Sequence, residues 1–231
     1  MSNASERPFR NASERPFRND PSPDRDRRTT PAEAREIIVP HRLDAGPMTA
    51  VRNVIIQSSL AQLKVAGYYD RYVKLIDPLA LGELEAAISP GWVSVELATA
   101  HYRACENLRL TAQEFSTMGE RVGERVQETA LVTTSRKARE ADFDVWAATP
   151  QLNRMWPRLF QGGSVQVVKI GPKDKLLEER GMSLNCFEYY RQAHVAAVRT
   201  TYASLPIRNV VARVVSYDAK DDEMVVRVTW V

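Results

Sequence analysis

The sequence predicts an α+β fold: a helical cluster packed on a small antiparallel sheet that includes a C-terminal β-hairpin. Three observations carry this. Segments with helical spacing come in a block, from about Leu60 to Phe160. The clearest strand pattern closes the chain, in "NVVARVVSYDAKDDEMVVRVTWV", where Met224, Val226, Val228 and Trp230 alternate with Val225, Arg227 and Thr229. Strand and helix do not alternate regularly, which excludes a doubly wound parallel sheet.

The elements follow in order. Ala32–Arg42 forms a short element ended by Pro40, and "VRNVIIQSS" (Val51–Ser59) reads as a β-branched strand. Leu60–Ile76 has helical spacing with a break at Gly67, and Leu79–Ile88 is a short helix stopped by Pro90-Gly91. Glu96–Leu110 is an amphipathic helix with Leu97, His101, Ala104, Cys105 and Leu108 on one face. Thr111 and Glu114 have capping-box spacing and open a helix to about Thr133, with Phe115, Met118, Val122, Val126 and Leu131 as its stripe. Gly119 and Gly123 lie beside that stripe. Each costs up to roughly 1 kcal/mol against Ala in a helix, so they imply close approach by another backbone or by a ligand.

Ala141–Phe160 reads as two short helical pieces divided by Pro150. Gly162-Gly163 marks a turn, Ser164–Ile170 a strand, and residues 173–181 a further strand or helical turn. Asn185 resembles an N-cap for a helix to about Ser204, with Phe187, Tyr190, His194, Ala197 and Val198 as its stripe. Asp218–Glu223 joins the last two strands as a hairpin.

The chain has 231 residues, 44% apolar, with a formal charge of +3. Residues 1–31 are nearly free of aliphatic side chains, and Asn3–Arg10 recurs letter for letter as Asn11–Arg18. Such a segment cannot offset an ordering cost of about 1–2 kcal/mol per residue, so it is expected to be a disordered polar tail. Residues 32–231 are then a single α+β domain. The tail holds seven arginines against five acids, which leaves the folded part near neutral. That balance argues against nucleic acid. Two cysteines point to a reducing compartment, no apolar run is long enough to span a membrane, and no apolar leader is seen. A cytoplasmic location is the expectation.

No catalytic signature appears. Gly-x-Ser-x-Gly, Gly-x-Gly-x-x-Gly and the Walker pattern are missing, and no nucleophile is recognisable beside His41, His101 or His194. His101 and Cys105 share a helix face at i, i+4. With His194 and Cys186 they offer the ligand types of a Cys2His2 site, although without CxxC or HxxxH spacing. Cysteine and histidine beside apolar stripes are more often plain core residues. A ligand pocket is drawn from Trp92, His101, Tyr102, Gly119, Gly123, Trp146, Trp156, Tyr190 and His194, whose aromatic bulk suits a flat or acyl ligand. No cofactor is assigned.

The layout resembles an uncharacterised paralogous family of myxobacteria. That family is distantly similar to the superfamily of haem–nitric-oxide-binding domains, vinyl-reductase-type domains and transport-protein-particle subunits. The resemblance rests on "VIIQSSLAQLKVAGYY", "FSTMGERVGERV", "GGSVQVVKIGPKDKLLEE" and the closing hairpin, and covers most of residues 47–231. It implies an α+β fold with a buried cavity, often dimeric, binding a hydrophobic ligand, acyl chain or cofactor. Haem-binding members carry a proximal histidine and a Tyr-x-Ser-x-Arg motif. Here Tyr202 and Ser204 match, Pro206 stands in place of Arg, and no haem ligand is transferred. The leading expectation is a non-catalytic ligand-sensing or adaptor domain that binds a small hydrophobic molecule and signals through a homodimer or partner. The alternatives are a protein-interaction module with a filled core, and a metal- or haem-dependent sensor using His101 and Cys105.

Overall fold

The computed structural model describes residues 35–88, 90–130 and 144–231. The polar tail, its repeat, the boundary expected at residue 31 and Leu131 lie outside them. The described strands are β1 (Glu36–Val39), β2 (Ala50–Arg52), β3 (Trp92–Ser94), β4 (Phe160–Gln161), β5 (Ser164–Gly171), β6 (Asp174–Arg180), β7 (Val211–Asp218) and β8 (Glu223–Thr229). The helices are α1 (Asn53–Val65), α2 (Tyr69–Val73), α3 (Pro78–Ala86), α4 (Val95–Glu106), α5 (Ala112–Ala130), α6 (Val145–Asn153), α7 (Trp156–Leu159) and α8 (Glu188–Ala203). The α+β class holds. One antiparallel sheet has the order β1-β5-β6-β8-β7 and includes the C-terminal hairpin; a three-stranded sheet has the order β3-β2-β4.

The strand expected over Val51–Ser59 is mostly helix. β2 ends at Arg52, and the chain turns into α1. Asn53 and Gln57 lie one helical turn apart and donate to the carbonyls of Ala87 (2.9 Å) and Leu84 (2.7 Å), at the end of α3. Ile56, Leu60 and Leu63 then share a buried face. These tertiary bonds outweigh the β preference of the Val-Ile-Ile run.

Pro150 does not divide its segment either; it stands exposed inside α6, and the break comes at Arg154-Met155. The Thr149 hydroxyl donates to the Val145 carbonyl, 2.8 Å away, one turn back. Residues 173–181 resolve as strand β6 rather than a helical turn.

The capping box at Thr111 forms as expected. The Thr111 amide donates to the Glu114 carboxylate at 2.7 Å, and the Glu114 amide to the Thr111 hydroxyl at 3.3 Å. Asn185, by contrast, does not cap α8. It lies buried in a 3-10 turn (Ser183–Cys186), and Glu106, at the end of α4, caps the helix from outside. Its carboxylate accepts the amides of Glu188 (3.3 Å) and Tyr189 (2.8 Å), two of the donors a helix start leaves unpaired.

α5 and α8 pack backbone to backbone. A Cβ built on Gly123 would lie 2.8 Å from the Ala197 Cα, and one on Gly119 would collide with the Ala193 backbone. The buried face of β8 is that read from the alternation, Met224, Val226, Val228 and Trp230. The core has two clusters. One joins α1, α4 and the start of α8; the other joins α8 to the five-stranded sheet.

Candidate functional site

Where the two clusters meet, a cavity of about 170 Å³ opens between the α5–α8 pair and strands β5 and β6. Ile55, Tyr102, Phe160 and Tyr190 reach it from the helical cluster, and Val165, Val167, Leu177 and Tyr202 from the sheet cluster. Trp156 and Val198 complete the apolar wall, with Gly123, Ala193 and Ala197 along the helix seam. The glycines let α5 sit close to α8, so Gly123 both packs on Ala197 and faces the cavity.

Of the residues singled out in the sequence, Tyr102, Gly123, Trp156, Tyr190 and His194 border this cavity. The other four lie elsewhere. Gly119 packs on Ala193, one turn away. Trp92 stands 37% exposed on β3 under the Arg52 guanidinium, 4.8 Å from its ring centre. Trp146 donates to the Pro172 carbonyl (2.9 Å) and leans on Trp230, ring centres 5.4 Å apart.

His101 belongs to a separate buried network. Its Nδ1 is 2.9 Å from the Tyr72 hydroxyl and its Nε2 3.0 Å from Ser59 Oγ, which in turn lies 2.8 Å from the Tyr189 hydroxyl. The fold thus sets a serine beside a histidine where the sequence shows no nucleophile partner. Ser59 and His101 are fully buried and neither lines the cavity, so the arrangement is a satisfied polar core. Burial drives the His101 pKa down to about 3, which keeps the ring neutral, and the same burial pushes the Cys105 thiol up. Cys105 Sγ is 3.6 Å from His101 Nε2. No group of three or more metal-type side chains forms among the described residues, so His101, Cys105, Cys186 and His194 do not assemble there.

The sequence reading passed over Glu179, the carboxylate in the polar part of the cavity wall. In β6 the side chains alternate, so Lys175, Leu177 and Glu179 all point into the core. The signal was present: two charges share the period-two face of a core leucine. Glu179 is 1% exposed, and its Oε1 lies 2.6 Å from His194 Nε2. The pair is close but lacks the alignment of a hydrogen bond. Asn185 Nδ2 donates to Glu179 Oε2 at 3.4 Å. Burial alone would lower the His194 pKa; attraction to the Glu179 carboxylate beside it outweighs that, and the net shift is upward. The Tyr190 hydroxyl and Trp156 Nε1 are buried without a hydrogen-bond partner among the described residues.

Behind this wall, Lys175 is caged by aromatic faces. Its Nζ is 3.8 Å from the Tyr202 ring centre, 5.2 Å from that of Trp230 and 5.4 Å from that of Trp146, and donates to Thr149 Oγ1 at 3.3 Å. Burial lowers its pKa to about 7.

The cavity does not fit a haem. Among the described residues its one lining histidine, His194, is paired with Glu179, and none of the lining is arginine or lysine for propionates. Its volume is below the roughly 300–1,000 Å³ of sites for drug-sized ligands. Ser204, from the partial Tyr-x-Ser motif, donates to the Thr201 carbonyl at 2.7 Å, within its own helix end.

No protein-family model matches the chain, and no curated protein matches it. Solved structures do. A variant of the Fe(II) unliganded H-NOX protein from K. algicida aligns with a TM-score of 0.54 at 11% identity, over 78% of this chain and 96% of that one. The unaltered K. algicida protein gives 0.52 at 8% identity, over the same shares. An oxygen-binding H-NOX domain related to soluble guanylate cyclases gives 0.50 at 9% identity, over 78% and 94%. At such identities the likeness is one of fold: this chain is built like an H-NOX domain.

Proposed function

We propose that this chain is a non-catalytic ligand-sensing or adaptor domain, acting in the cytoplasm, whose cavity takes a small, mainly apolar molecule. The observation that carries the reading is the cavity of about 170 Å³ at the junction of the two core clusters. Interiors ordinarily pack to crystal-like density, so an apolar hollow of this size at the heart of the fold is space a guest can use. An engineered apolar cavity of about 150 Å³ in another protein binds benzene. The cavity also favours ligand binding over an interaction module with a filled core. The H-NOX-like fold supports sensing rather than catalysis, since one such neighbour is an oxygen-binding domain related to soluble guanylate cyclases. Signalling through a homodimer or protein partner belongs to the same proposal; the outer strand β7 exposes Val211 and Val215.

Native mass spectrometry of the purified chain tests this. The expected spectrum shows a small-molecule adduct that is shed on activation, and the mass of the assembly reads its oligomeric state. Val198→Phe, which fills the cavity, is expected to abolish the adduct. An adduct-free protein with no thermal stabilisation by any small apolar compound refutes the proposal.

A further inference from the structure

Four polar residues of the cavity lining gather around His194, itself one of them, and the apolar walls do not account for them. The Tyr190 and Trp156 rings lie against His194, with centres 5.6 and 6.3 Å from its own, and His194 Nε2 meets Glu179 Oε1 at 2.6 Å. Tyr190 and Glu179 are almost fully buried, 3% and 1% exposed. Among the described residues the Tyr190 hydroxyl and the Trp156 N–H have no hydrogen-bond partner, and Glu179 Oε1 has no aligned one. All four residues line the cavity. Buried polar groups are nearly always satisfied, and leaving one unpaired costs about 1–3 kcal/mol.

We infer that the cavity's ligand is an uncharged small alcohol, a hydroxyl carried on an apolar body about the size of a six-membered ring. This rests on the ligand-binding reading above. The inventory of unused groups selects the head. Trp156 offers only a donor, Glu179 only an acceptor, and Tyr190 either. A hydroxyl donates one hydrogen bond and accepts others, so one oxygen answers both needs: its proton goes to Glu179 Oε1, and its lone pairs take the Trp156 N–H or the Tyr190 O–H. A carboxylate head would face Glu179, a like charge, with no lysine or arginine among the described lining residues. An ammonium head would leave the Trp156 donor unanswered and would set a second cation beside His194 when that ring is protonated. The body is set by volume, since about 150 Å³ holds a benzene ring.

The test holds the body constant and varies the head. Cyclohexanol, methylcyclohexane, cyclohexylammonium and cyclohexanecarboxylate are titrated into the full chain by calorimetry. Cyclohexanol is expected to bind roughly tenfold tighter than methylcyclohexane, with no binding of either ion. Tyr190→Phe removes a hydroxyl that is unpaired in the free protein, so the fold should keep or gain stability. Tyr190→Phe and Trp156→Phe should each weaken cyclohexanol about 3- to 10-fold and leave methylcyclohexane unchanged. If methylcyclohexane binds wild type as well as cyclohexanol does, the cavity reads shape alone: the head-group inference falls and the ligand-binding reading stands. Preferred binding of either ion, or an alcohol preference untouched by both variants, also overturns the inference. If none of the four binds, the inference and the ligand reading fall together.

Discussion

At the scale of single residues, His194 shows how environment sets charge. Burial disfavours its imidazolium, and Glu179 reverses the balance. A group whose folded pKa is raised stabilises the fold below its unfolded pKa of 6.5, and that stabilisation is lost as pH climbs through the folded value. An NMR titration of the histidine side chains is expected to place His194 above 6.5 and His101 far below it. In Glu179→Gln the remaining influence is burial, so the His194 midpoint should fall below 6.5. A midpoint that does not move would remove Glu179 as its cause. The pairing was beyond reach of the sequence, because Glu179 lies on a strand and His194 on the helix above it. What could be read was the period-two burial of residues 175, 177 and 179.

Among the elements, α5 and α8 meet at backbone-contact distance. Both glycines of α5 meet alanine backbone on α8. Gly→Ala in an exposed helix would stabilise by up to about 1 kcal/mol, but here the added methyl has to push the helices apart. Gly119→Ala is expected to lower the urea unfolding free energy by roughly 1–3 kcal/mol, with α-helical circular dichroism preserved. A stabilised variant would show that the helices separate freely. The close approach was legible, since two glycines one turn apart beside an apolar stripe need an explanation. The cap of α8 was not: Asn185 looked suitable by spacing, yet the partner is Glu106, 82 positions before the amide it receives. Local signals identify local caps, as at Thr111, and miss those delivered by folding. The β-branched run after Arg52 misled for the same reason, because Asn53 and Gln57 are held by α3.

For the molecule as a whole, the class and the closing hairpin were readable because alternation and helical spacing are properties of contiguous sequence. The cavity was readable only in part, since Tyr102, Gly123, Trp156, Tyr190 and His194 gather there while Trp92 and Trp146 serve other surfaces. Lys175 is expected to shape global stability. Its folded pKa of about 7 lies below the ordinary lysine value of 10.5, so between these values the unfolded chain holds a proton that the folded chain lacks. Stability therefore rises with pH through that window, and below about 7 the full cost of the buried ammonium is felt. Lys175→Met keeps the stem and removes the charge. It should stabilise the fold by roughly 2–4 kcal/mol at pH 6, and the gain should shrink toward pH 10. A gain that does not change with pH in denaturant titrations would contradict a buried, titrating amine.

One adjacency has a mechanical consequence. Tyr190 borders the cavity, while the preceding Tyr189 is tied through Ser59 and His101 to Tyr72. Consecutive side chains on one rod thus face different compartments of the interior. A guest pressing on Tyr190 would therefore bear on the same rod that anchors the Tyr189–Ser59–His101–Tyr72 relay of hydrogen bonds.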